Sequence, residues 1–198
     1  MNLNLSIKKI KRIFNDKGYD FFENGDYNLN IIGIRNNNRE AGLFDDIMLL
    51  IYKKNGKWKI KKWAITTDPG RYYLQNPMNT AGTAILVPDQ YKQSFKLRKH
   101  RGKYMALCQH KPIAVWRDDN GNNYLDMIDN TIQIGEFGIN IHRAGNITKK
   151  WIGKYSAGCQ VFKNKIYFEI FMFFVKKAAK IWGNSFTYTL LEESDFDE

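Results

Sequence analysis

Cysteine is scarce in this 198-residue chain, with Cys108 and Cys159 the only two. Two thiols are too few for the disulfide framework that holds small secreted domains together, and they fit synthesis in a reducing cytoplasm. Long apolar runs are missing as well. The longest stretch, IYFEIFMFFV at 166–175, is broken by Glu169 and followed by Lys176 and Lys177, well short of the roughly 20 apolar residues a membrane span needs. It reads as a buried helix. The amino terminus, MNLNLSIKKIKRIF, is basic but has no continuous apolar run ending in small residues, so no signal peptide is expected. No repeat, low-complexity tract or linker divides the chain, and residues 1–198 read as a single domain. Acidic residues are outnumbered, since 20 Asp and Glu face 31 Lys and Arg for a formal charge of +11. A surface of that sign attracts polyanions such as nucleic acid, anionic lipid or acidic wall polymer.

What the chain does have is apolar and aromatic substance, 43% and 15% of residues, enough for a sizeable core without metals or disulfides. Leu5, Ile7, Ile10, Ile13 and Phe14 recur mostly on one helical face, so residues 1–25 are expected to be a helical extension. NLNIIGIR at 28–35 reads as a strand. In IMLLIYKKNGKWKIKKWAITTDPG the pair Asn55-Gly56 separates two apolar segments; this pair suits the positive φ angles of a two-residue hairpin turn. TAILVP, YMALCQ and IAVWR are short strand-like runs, Asn120-Gly121 offers another turn, and NTIQIGEFGINIH at 130–142 alternates as one strand. The later IYFEIFMFFV segment supplies a second helix, and the acidic end at 192–198 reads as a solvated tail. The expected class is α+β, mainly β, with a helix near either end.

The richest chemistry lies in GINIHRAGNITKKWIGKYSAGCQVF, residues 138–162. A thiol attacks only as thiolate, and an imidazole within reach can take its proton, so His142 and Cys159 are matched in kind. Ala157 and Gly158 remove bulk beside the sulfur, and a tight turn over Ser156, Gly158 and Cys159 would free backbone N–H groups for an oxyanion. The plainer alternative makes Cys159 a small buried residue and His142 a strand end.

IHRAGNITKKWIGKYSAGCQV resembles the signature of the YkuD-type L,D-transpeptidases, in which a strand ending in His-Gly precedes Ser-His-Gly-Cys and then Arg or Asn. The resemblance implies a β-sheet catalytic core in which Cys159 forms a thioester with a peptidoglycan stem peptide and His142 activates it. Beside the pair, Arg143, Gln160 and Tyr155 are expected to meet the substrate, and no cofactor or metal is expected. Arg143 stands in place of the family's Gly, Ala157 in place of its second His, and Val161 where Arg or Asn is expected. Longer stretches, from ITTDPGRYYLQNP to SAGCQVF, are similar to small proteins of bacteriophages and prophages of Bacteroidetes. That origin implies wall hydrolysis rather than cross-linking, by a protein made in the bacterial cytoplasm and brought to the wall by holin release or virion delivery.

Other features carry competing readings. KLRKHRGKY at 96–104 reads as a solvated basic loop, able to meet phosphates or another anionic polymer. Asp118, Asn120, Asn122 and Asp126 are spaced like calcium ligands but lack the sixth-position Gly and twelfth-position Glu of a calcium loop, so a solvated turn is the default. Cys108 reads as core, and Trp58, Trp63, Tyr72, Tyr73 and Trp116 as core aromatics that could also stack on sugars or bases. Two further functions therefore stand beside the enzyme: a non-catalytic module binding nucleic acid or cell wall, and a structural virion protein on an inactive catalytic fold. Oligomeric state is left open.

Overall fold

A computed structural model describes residues 1, 3–145 and 151–197. Three helices, α1 (Ile7–Asp16), α2 (Arg71–Gln75) and α3 (Lys165–Trp182), accompany eleven strands among the described residues. The strands are β1 (Asn30–Arg35), β2 (Asp46–Lys54), β3 (Lys57–Thr66), β4 (Thr83–Leu86), β5 (Gln90–His100), β6 (Tyr104–Gln109), β7 (Ile113–Asp118), β8 (Gln133–Gly135), β9 (Ile141–Arg143), β10 (Gln160–Phe162) and β11 (Phe186–Glu192). Eight of them close into a barrel in the order β1, β11, β5, β6, β9, β10, β3, β2, and β4, β7 and β8 form a separate antiparallel sheet. Closure leaves the barrel strands no free edge. The α+β, mainly β expectation is met.

The β2–β3 hairpin forms at Asn55-Gly56, with φ of 51° and 70° at the two residues, the mirror-image turn whose twist matches that of paired strands. In β1 and β2, alternate residues serve two cores. Ile31, Met48 and Leu50 join the main core under α3, whereas Ile32, Ile34, Ile47, Leu49 and Ile51 pack beneath α1 with Ile10, Ile13 and Phe14. Burial on both faces explains why these strands read as continuous apolar runs. Helix α1 starts where the Ser6 hydroxyl accepts from the Lys9 N–H, and it occupies only Ile7–Asp16 of the stretch expected to be helical.

Several expectations are corrected. Residues 130–142 make two short strands rather than one, because Glu136 to Asn140 leave the ladder after β8 pairs with β7. The basic stretch 96–104 is no loop but the end of β5, a tight turn at Arg101-Gly102, and the start of β6. The 166–175 run is helical but not buried all round, since Phe168, Phe171, Met172 and Val175 face the core while Ile166, Ile170 and Phe173 are exposed. The acidic end is docked rather than solvated: Phe196 is buried beneath α1, and Asp195 accepts a 2.8 Å ion pair from Lys17.

Candidate functional site

Parallel pairing of β9 with β10 sets Gln160 against Ile141 and Val161 against His142. Strand alternation then sends Ile139 and Ile141 into the main core and turns Asn140 and His142 toward a cleft on the other side. Cys159, one residue ahead of β10, enters the same cleft and its Sγ accepts from the Asn140 N–H at 3.4 Å. The sequence thus brings its His and its Cys to one place through a two-strand register. The cleft holds about 580 Å³ and is also lined by Arg143, Tyr155 and Ala157.

The turn before Cys159 is tied down by its own side chain. Ser156 Oγ donates to the Cys159 carbonyl at 2.8 Å and accepts from the Gly158 N–H at 3.2 Å. Gly158 sits at φ 112°, and a Cβ there would lie 2.3 Å from the Ala84 carbonyl oxygen, so only glycine fits. Of the expected oxyanion donors, the Gly158 N–H is therefore taken. The Cys159 N–H has no partner among the described residues.

Gln160 does not reach the cleft. It is fully buried, its amide donating to the Thr67 and Gly158 carbonyls at 3.3 Å and accepting from the Tyr188 hydroxyl at 2.7 Å. Alternation along β10 points it inward where Cys159 points outward, so its expected substrate role is corrected to a structural one. Arg143 does line the cleft, its guanidinium 4.4 Å above the Tyr104 ring. Cys108, expected in the core, is only half-buried and lines the same cleft, as does Tyr73; Trp63 and Trp116 are buried.

His142 Nδ1 lies 3.0 Å from the Arg143 carbonyl; facing an acceptor, it carries the proton, which leaves Nε2 to receive one. Its ring stacks on that of His100 with centroids 4.4 Å apart. His100 Nδ1 in turn accepts from the Asn140 side-chain amide at 3.3 Å. Burial lowers the His142 pKa to about 4, helped by the His100, Arg101 and Arg143 charges against the pull of the Arg143 carbonyl. Burial also raises the Cys159 thiol to about 11, against the Asn140 N–H and the Arg101 charge. Both groups are neutral at rest. No hydrogen bond joins Cys159 Sγ to His142 among the described residues; the sulfur donates instead to the Gly138 carbonyl at 3.6 Å.

Sequence reasoning missed much of the cleft wall. Arg98 and Lys99 from the end of β5, Arg101 and Lys103 from the turn after it, and Arg143 and Lys154 line the same cleft as the thiol, and no Asp or Glu among the described residues does. None of these six cations pairs with a carboxylate among the described residues. The basic stretch at 96–104 and the thiol site therefore form one surface. The signal was present in KLRKHRGKY, but nothing local tied it to residue 159. By contrast, the calcium-like spacing folds on itself, with Asp126 accepting from Asn120 and Asn122 and Asp118 buried and accepting from the Asp126 N–H at 3.0 Å. The turn itself is solvated, with Asn120, Gly121 and Asn122 exposed and only Asp118 buried at its base.

Compared with known proteins, the chain matches no family model, no curated protein and no solved structure.

Proposed function

We propose that this chain is a cysteine-dependent peptidoglycan enzyme of L,D-transpeptidase type, built on a barrel that the family resemblance of residues 141–161 interprets as the catalytic core. One observation carries the reading: adjacent parallel strands direct His142 and Cys159 into a single cationic cleft. In the proposed reaction the Cys159 proton passes to His142 Nε2 as sulfur attacks the carbonyl carbon of a stem-peptide amide. A C–S bond forms, the C–N bond breaks, and the departing amine takes the proton back. The Cys159 N–H faces the developing oxyanion. Water or an acceptor amine then cleaves the thioester, and the phage-type resemblance favours water. The cations of the cleft suit the carboxylates of a stem peptide. Arg143 and Tyr155 line its path; the enzyme meets the wall after holin release or inside a virion.

Muropeptide analysis by mass spectrometry tests this. Wild-type protein should release stem-peptide fragments from purified walls, and Cys159→Ser should lose nearly all of that release. Exchange of D-amino acids into the stem would instead assign transpeptidation. The neutral thiol and its lack of a bond to His142 favour a second reading, a module that binds an anionic polymer in the same cleft without reacting. Identical muropeptide profiles for both proteins across several wall types would select it.

A further inference from the structure

The outer face of α3 is apolar in a way the barrel does not use. Ile166, Ile170, Phe173 and Ile181 fall on one side of the helix, opposite the buried Phe168, Phe171, Met172 and Val175. Ile166 is 64% exposed, Phe173 61% and Ile181 51%, and Trp182 is exposed at the helix end. The helix is not a membrane span, since no helix of the described residues is long and apolar enough to cross a bilayer. Its apolar stripe lies along the surface.

Charge around the stripe has one net sign. Glu169, the sole acidic residue of α3, is paired with Lys165 at 3.8 Å. Lys176 and Lys180 flank the stripe and pair with no carboxylate among the described residues, and the Lys177 ammonium rests 4.0 Å over the Tyr27 ring. Lys59 stands cross-strand from Tyr52, whose ring meets Phe174 of α3 at 5.0 Å. Lys61 lies two residues further along the same face of β3, toward Trp63, which packs on Phe171.

We infer that this face docks on an anionic lipid surface, with Ile166, Ile170, Phe173 and Ile181 entering the acyl boundary and the lysines reaching lipid phosphates. Apolar side chains at the centre and cations at the border match the layering of a bilayer interface, where long lysine stems let the charge rise to the headgroups. A nucleic acid would leave the apolar centre unused. A second copy would set lysine borders against each other on two chains of charge +11.

Co-sedimentation of the full chain with vesicles of phosphatidylcholine, alone or containing phosphatidylglycerol, reads the inference directly. Binding should appear with phosphatidylglycerol vesicles and not with phosphatidylcholine alone. The double variant Ile166→Ser, Phe173→Ser should reduce that binding on the order of tenfold while leaving the thermal melt intact, because neither side chain enters the core. Lys176→Gln with Lys180→Gln should weaken binding and flatten its salt dependence. Equal binding by wild type and the serine variant would overturn the inference, as would no binding by folded wild type. A dimer in sedimentation velocity that the serine variant dissolves, without lipid binding, would assign the face to a second copy instead.

Discussion

At the scale of single residues, His142 is held as a neutral base. The gap between a thiol near 11 and an imidazole near 4 places the separated ion pair roughly 10 kcal/mol above the neutral pair before their mutual attraction is counted. Both groups therefore rest neutral, and in the proposed reaction proton transfer accompanies attack on the carbonyl. The same burial has a consequence for stability. The unfolded chain takes a proton on this histidine near pH 6.5, whereas the folded chain refuses it until about pH 4. Acidification through that window therefore favours unfolding, and stability falls by roughly 3 kcal/mol between pH 6.5 and 4 with no further loss from this group below it. Urea unfolding at pH 7 and pH 4.5 should show the fall in wild type and a smaller one in His142→Gln. Equal falls in the two proteins would mean that His142 titrates freely in the folded state.

At the scale of elements, the start of β10 hangs on a buried network that no local pattern announces. Arg35 is 2% exposed; it pairs with Asp68 at 2.9 Å and donates to the Thr67 hydroxyl and the Leu86 carbonyl. The Thr67 carbonyl receives the Gln160 amide, and the Thr67 N–H and hydroxyl donate to Asp46 at 2.6 and 2.8 Å. Burial and the Asp68 charge raise the Asp46 pKa well above the usual carboxylate range, against the Asn36 and Thr67 N–H groups and the Arg35 charge. Arg35→Met should cost about 3–5 kcal/mol, because it leaves Asp68 buried without its cation, and the loss should be visible as an earlier urea midpoint. A change below about 1 kcal/mol would show that the network is not a strut.

Elements were legible where local chemistry decides them. Asn55-Gly56 between alternating runs specifies a hairpin without outside help, and the apolar period of α1 survives in its buried face. Strand β5 was illegible because its last residues, Arg98 to His100, carry cations toward a cleft instead of an apolar face toward a core. Helix α3 was misread because apolar residues circle it, and composition cannot say which of them lack a partner. Cys159 and His142 were singled out by residue type and family resemblance, and their shared cleft comes from the β9–β10 register. His100 and Asn140 were not, since the stacking of two rings and the Asn140 bond to the thiol arise from strands far apart in the chain.

At the scale of the whole molecule, the +11 charge is not spread evenly, for six cations line the cleft that holds the thiol and others border α3. Binding to purified anionic wall should weaken from low to high salt, as exposed cationic contacts are screened over about 10 Å at 0.1 M. Because the cations and the thiol share a cleft, Arg101→Gln should also slow iodoacetamide labelling of Cys159 at pH 9 while leaving Cys108 labelling unchanged; it removes the positive charge that holds the Cys159 thiol down. Unaltered labelling of both thiols would separate the charge from the chemistry.

The central claim is that Cys159 becomes acylated, and the most direct measurement is intact-protein mass spectrometry after acid quench of a reaction with purified muropeptides. The account predicts a stem-peptide adduct that maps to Cys159, is absent from Cys159→Ala and is strongly reduced in His142→Gln. No adduct on Cys159 with muropeptides from several wall types, or an adduct that forms equally well without His142, would contradict it.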